Sequence, residues 1–295
     1  MTKKQSNFIA KLGELVADAP TVQVTRNKFG YQVDGEKFRR VTTLLNGIPK
    51  DALYFWGKKV VAEFAWEHQE MWTKLTKEDA VKLLKGSPES QKEKAGVRGT
   101  AVHDALEALV LGRPLPEDLN EEELHLVGGA TAFLNQRKSK ILASEMIVFN
   151  RTEGYCGTLD LWDIDADGTP WILDYKTSKN VYPNHAVQQV AYQRAEFAIV
   201  QMKKVPGKGK TEAWEGKLIP WSQEYCQRLG VIHVEPSRTT LYEVADADRL
   251  WRVFRASAYI KDWLLATNSF AGKTPREETY LEPITFEEGD NDGQG

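Results

Sequence analysis

"WILDYKTSK", residues 171–179, sets Asp174 and Lys176 two positions apart inside an apolar and aromatic run. Side chains alternate across a strand, so Trp171, Leu173 and Tyr175 share one face and Ile172, Asp174 and Lys176 share the other. Just upstream, "GTLDLWDIDADGTPW" (157–171) contains "ADG", which reads as a three-residue hairpin loop with Gly168 in the left-handed position. That loop length places Asp160 directly across from Asp174. Two carboxylates and an ammonium then meet on one sheet face, and like charges across a ladder repel.

A divalent cation resolves that conflict. Mg²⁺ prefers carboxylate oxygens, and Mn²⁺ accepts similar donors. Such an ion polarises a phosphoryl oxygen and acidifies a bound water. Lys176 beside it is suited to orienting the attacking water or stabilising a pentavalent phosphorane. Taken alone, the short and common D-x-K spacing is better read as a same-face salt bridge on an exposed strand.

Outward from this hairpin, the pattern changes period twice. Residues 21–43, "TVQVTRNKFGYQVDGEKFRRVTT", alternate around an Asp-Gly turn and predict a small β-meander. Helical spacing dominates from 51 to about 139, where "TKEDAVKLLKG" begins with a capping box and is expected to end at Gly86. Strands return in "SEMIVFN", "GYCGTLDLWDID" and "PWILDYKT", followed by a helix expected over 184–202. Three more strands, "AWEGKLIPW", "GVIHVEP" and "TTLYEVA", precede a last amphipathic helix over 246–266. This order predicts an α/β (α+β) architecture, a central mixed β-sheet flanked by helices with a helical N-terminal elaboration.

Composition sets the outer limits. A chain of 295 residues, 41% hydrophobic and 27% charged, can bury a substantial core. No apolar run approaches a membrane span, and "MTKKQSNFIAKLGELV" lacks the apolar stretch of a signal peptide, so an intracellular address without membrane partners is expected. Cys156 and Cys226 are the only cysteines, too few for a four-cysteine iron–sulfur cluster. With a net charge of −3, nucleic-acid contact has to come from local patches. Candidates are the loop "KKVPGKGK" (203–210) and the nine tryptophans, although aromatics at helical or strand spacing are usually core.

Two helical segments add polar groups at matching spacing. "RGTAVHDALE" (98–107) carries Arg98 and sets His103 and Glu107 four apart on one helix face. A neutral imidazole there can join a metal shell through one ring nitrogen. "AVQQVAYQRA" sets Gln188 and Tyr192 four apart, able to bond phosphate or a base edge.

In order, "RGTAVH", "GTLD", "DYK" and "QQVAY" resemble the motifs of RecB-like nucleases in the PD-(D/E)xK superfamily, over roughly residues 98–192. The resemblance implies a restriction-endonuclease-like core. His103, Asp160, Asp174 and the Tyr175 carbonyl would bind Mg²⁺ or Mn²⁺, Lys176 would be the catalytic lysine with Asp174 and Asp160, and Gln188, Tyr192 and Arg98 would lie along the substrate strand. Glu145, in "SEMIVFN", matches an acidic position often seen before the GxxD element. Lacking cluster cysteines, the chain is more similar to the cluster-free, phage-type exonucleases. The implied partner is linear DNA and its ends, together with an annealing protein, recombinase or helicase in recombination or repair, in a bacterial or phage-infected cytoplasm. On this reading residues 1–97 form an N-terminal β-meander and helical elaboration, 98–270 the nuclease core, and 271–295 an extension with an acidic, disordered tail. A restriction-type or structure-selective endonuclease and an inactive nucleic-acid-binding protein are the alternatives.

Overall fold

In the computed structural model residues 1–266 are described, so the expected 271–295 extension lies outside them. Helix α1 (Lys3–Ala17) leads into a meander of β1 (Thr21–Asn27), β2 (Gly30–Val33) and β3 (Glu36–Arg40). A helical stretch follows: α2 (Val41–Leu44), α3 (Asp51–Glu67), α4 (Gln69–Trp72), α5 (Lys77–Val110) and α6 (Glu121–Arg137). The antiparallel run β4 (Lys140–Asn150), β5 (Tyr155–Ile164) and β6 (Pro170–Lys176) comes next, then α7 (Pro183–Gln193). Strands β7 (Phe197–Val205), β8 (Glu212–Pro220), β9 (Arg228–Val234) and β10 (Thr239–Glu243) precede α8 (Ala247–Ala266).

The strands form one mixed ten-stranded sheet in the order β10-β9-β6-β5-β3-β2-β1-β8-β7-β4, and β4 also pairs with β5. That extra pairing closes β5, β3, β2, β1, β8, β7 and β4 into a ring of seven strands. Its interior is filled by Val22, Val24, Tyr31, Val33, Phe38, Ile147, Phe149, Cys156 and Ile199. The meander is therefore a wall of the ring, held by β8 on one side and β5 on the other. The expected boundary at 97/98 falls within α5.

Outside the ring, β5 carries the sheet on to β6, β9 and β10. One face packs Leu161, Trp171, Leu173 and Tyr175 against Val102, Ala105 and Leu106 of α5 and Leu126 and Ala130 of α6. The opposite face packs Trp162 and Ile172 against Val187, Val190 and Ala191 of α7 and Phe254 of α8. The hairpin register is the one the loop length predicts: Leu161 pairs with Leu173 and Ile164 with Pro170, with Gly168 at φ +84°. Gln5 of α1 donates to the Ile164 and Asp165 carbonyls at 3.3 and 2.9 Å, fastening the N-terminal helix to this turn.

Two expected helix ends move. Thr76 caps α5 by accepting from the Asp79 amide at 3.2 Å, but the helix passes through Gly86 and Pro88. Pro88 has no N–H for the Leu84 carbonyl four residues back, and the Ser87 hydroxyl donates to that carbonyl instead at 2.9 Å. The helix expected over 184–202 stops at Gln193, since the apolar run "FAIV" from 197 belongs to β7 between β4 and β8. Helical and strand readings of such short apolar runs differ only in their partners.

Candidate metal centre

The site forms where β5 changes neighbours. On one edge β5 pairs with β3 at Tyr155 and Cys156 and with β6 from Leu161 to Ile164, leaving Gly157–Asp160 between the two diverging strands. The β6 ladder continues into this gap through a side chain, the Tyr175 amide donating to Asp160 Oδ2 at 2.8 Å. The gap also explains Gly157. A Cβ there would collide with the ring of Tyr192, which is 2% exposed.

Across β5, Glu145 of β4 lies opposite Asp160, bracketed by the pairs Ser144–Leu161 and Met146–Leu159. Its φ of +52° is in the left-handed region, and this kink interrupts the regular alternation of β4. Ser144 secures the neighbouring backbone by donating to the Asp160 carbonyl at 3.0 Å.

Helix α5 brings His103 over the same point, with Gly99, one turn earlier, beside Thr177. His103 Nε2 lies 2.9 Å from the Tyr175 carbonyl and Nδ1 lies 3.3 Å from Asp160 Oδ2. A carbonyl only accepts, so Nε2 carries a proton and Nδ1 faces a carboxylate oxygen, where a second ring proton or a cation completes the contact. Ligand atoms of His103, Glu145 and Asp160 all lie within 4.8 Å of one another, a grouping that suits a metal ion. Burial, with Asp160 and Glu107 nearby and Arg26 opposing them, pushes the Glu145 carboxyl up to about 8.

The donor set differs from the expected one. Glu145 takes the third position, whereas Asp174, 1% exposed, is ion-paired with Lys176 and accepts from Gln188 Nε2 at 3.4 Å. The Tyr175 carbonyl is engaged by His103. Lys176 stays protonated: burial works to lower its pKa, and Asp174 and Asp160 outweigh it.

Gln188 and Tyr192, expected along the substrate strand, turn inward. Both are buried, and Gln188 Nε2 donates to the Tyr192 hydroxyl at 2.8 Å, so the pair supports Asp174 from behind. Burial, with Asp174 nearby, pushes the Tyr192 phenol well above its usual range, so it stays neutral. Arg98 is ion-paired with Glu122 at 2.6 Å, away from the acidic cluster. Glu107 does reach the site, lining a cavity of about 580 Å³ with Arg26, Asp104, Glu145, Thr158 and Lys204. Thus Lys204, expected in a basic loop but lying in β7 opposite Trp214, borders the cavity. Arg26 and Asp104 are additions that nothing in their local sequence marks.

Comparison with known proteins leaves the chain without a family. No family model matches, and no curated protein matches. Among solved structures, the crystal structure of SSO0001 aligns over 86% of this chain and 85% of its own at 12% identity, with a TM-score of 0.28. Among the described residues, no helix is long and apolar enough to cross a membrane.

Proposed function

We propose that this protein is a metal-dependent deoxyribonuclease that hydrolyses phosphodiester bonds from DNA ends, with a core of the RecB-like PD-(D/E)xK type. One observation carries the reading: the His103, Glu145 and Asp160 grouping adjoins a buried Asp174–Lys176 pair at the fork between β3 and β6. An imidazole with two carboxylates suits Mn²⁺ or Mg²⁺, the nitrogen donor favouring Mn²⁺. When bound, such an ion polarises a phosphoryl oxygen and acidifies water.

The chain's own groups supply the rest. Asp174 keeps Lys176 charged, and the Lys176 ammonium stabilises negative charge developing on the phosphoryl oxygens. Gln188, backed by Tyr192 on Gly157, holds the Asp174 carboxylate in place. His103, tied to the Tyr175 carbonyl, aims Nδ1 at Asp160.

The test is digestion of end-labelled linear DNA and covalently closed circles with Mn²⁺, with Mg²⁺ and with chelator. Metal-dependent loss of linear DNA and survival of circles is the expected result. Nicking of circles would make it an endonuclease, and inertness with every metal would reject the nuclease reading.

A further inference from the structure

Helix α3 has more large aromatic surface than it buries. Its inward side runs Trp56, Val60 and Phe64 at helical spacing, with Val60 3% exposed against α5 and a Cβ placed on Gly57 falling 4.0 Å from the Pro88 side chain. The outward side carries Tyr54, Phe55 and Trp66, which are 60%, 66% and 84% exposed. Phe55, Lys59, Ala62 and Trp66 recur at intervals of four, three and four, forming one continuous stripe. Tyr54 and Lys58 lie beside it, with the Lys58 ammonium 4.1 Å from the Tyr54 ring centre and the Tyr54 and Phe55 rings 5.5 Å apart.

Three exposed aromatics on one helix mark an interaction surface, and the interleaved charges select its partner. Lys50, Lys58 and Lys59 surround Tyr54 and Phe55, and on α5 the exposed Lys85 and Lys92 lie one turn to either side of Pro88. The acids are Asp51 in the first turn, Glu63 and Glu67 toward the Trp66 end and Glu89 on α5, with Glu63 paired to Lys59 at 3.4 Å and Glu89 to Lys92 at 3.3 Å. A second copy docked symmetrically would set Lys50, Lys58 and Lys85 against like charges. Flat rings with lysines between them match an unpaired nucleic-acid strand, whose bases stack while its phosphates meet ammonium groups. We infer that the exposed face of α3 is a binding platform for single-stranded DNA, with bases stacked on Tyr54 and Phe55 and phosphates on Lys58 and Lys59.

The inference takes its substrate class from the nuclease reading, and its test is arranged to fail separately. Binding of labelled oligo-thymidylate to the full chain is measured by anisotropy in chelator, where no cleavage occurs. Tyr54→Ala and Phe55→Ala should each weaken binding roughly tenfold, whereas Tyr54→Phe, which keeps the ring, should bind normally. Lys58→Ala and Lys59→Ala should each lower the log–log salt slope by about 0.7. Unchanged thermal unfolding of the variants verifies the fold, since these side chains are exposed. Unchanged affinity in both alanine variants overturns the inference, as does absence of oligonucleotide binding by the parent protein. So does a parent dimer that becomes monomeric in the alanine variants while binding is retained. Ring-dependent binding without cleavage under any metal would sustain the platform and reject the nuclease.

Discussion

The two halves of α5 differ more from each other than most separate helices do. Residues 77–96 bury only Ala80 and Ser87, and their main neighbours are α3 and α4. Residues 97–110 bury Val102, Ala105, Leu106 and Ala108 against α6 and the sheet and carry His103. One continuous backbone thus joins a solvated arm to a packed wall of the candidate site. Apolar residues at three- and four-residue spacing occur where the sheet is the partner, and lysines and glutamates replace them where it is not. The lesson is that helix continuity and core membership are set independently. Capping and the Ser87 bond that compensates Pro88 set the first; the apolar stripe sets the second.

The sharpest way to break this contrast is through the site that the packed half supports. Asp160→Asn should abolish cleavage while leaving the fold intact, because it removes a ligand charge and relieves repulsion with Glu145. Near-normal cleavage at saturating Mn²⁺ would sink the metal assignment. Lys176→Ala should keep metal affinity and lose about 10²- to 10³-fold in single-turnover rate, the usual effect of removing one well-placed electrostatic stabiliser. Calorimetric metal titration beside single-turnover cleavage separates the two, and an unchanged rate would leave Lys176 as a salt-bridge partner only.

Stability should follow the same division along α5. Leu106, 1% exposed, sits among Val102, Leu126 and the sheet, and Leu106→Ala should cost about 2–5 kcal/mol through lost burial and a residual cavity. Val81, 40% exposed on the arm half of the same helix, should cost no more than about 0.5 kcal/mol on replacement by alanine. Urea unfolding of both variants gives the comparison. Equal losses would show that the arm and the wall share one core.

How much of this was legible depended on the range of the interactions involved. The β5–β6 hairpin was readable because loop length and Gly168 fix its register within a few residues, which placed Asp160 beside Asp174. The mixed sheet and flanking helices followed from changes in period. Ring closure was not readable, because Arg39 meets Tyr155 across more than a hundred residues and a two-residue contact leaves no local pattern. Glu145 was named only through a resemblance, since its place depends on a left-handed backbone kink that glutamate does not advertise. The inward turn of Gln188 and Tyr192 was hidden for a similar reason: helical spacing identifies a shared face but not what that face meets. Aromatic residues on α3 look like core in sequence because spacing carries no record of exposure.

Glu145 gives the last test, one that the exposed arm should not share. Burial, with Asp160 and Glu107 nearby, pushes its carboxyl up to about 8 from an ordinary value of 4.5. Between those values the folded state holds a proton that the unfolded state has released, so stability falls as pH rises. The slope is about 1.4 kcal/mol per pH unit for one fully linked proton, an upper bound in a site that can relax. In chelator, the unfolding temperature should therefore decline from about pH 5 toward pH 8, and Glu145→Gln should flatten the decline by removing the titrating group. Mn²⁺ should restore stability most at the alkaline end, where Glu145 is free to ligate, and its affinity should rise with pH over the same window. A parent protein whose metal-free stability is level across this range would show that Glu145 is solvated and ionised. The crowding at the fork between β3 and β6 would then be too weak to require a cation.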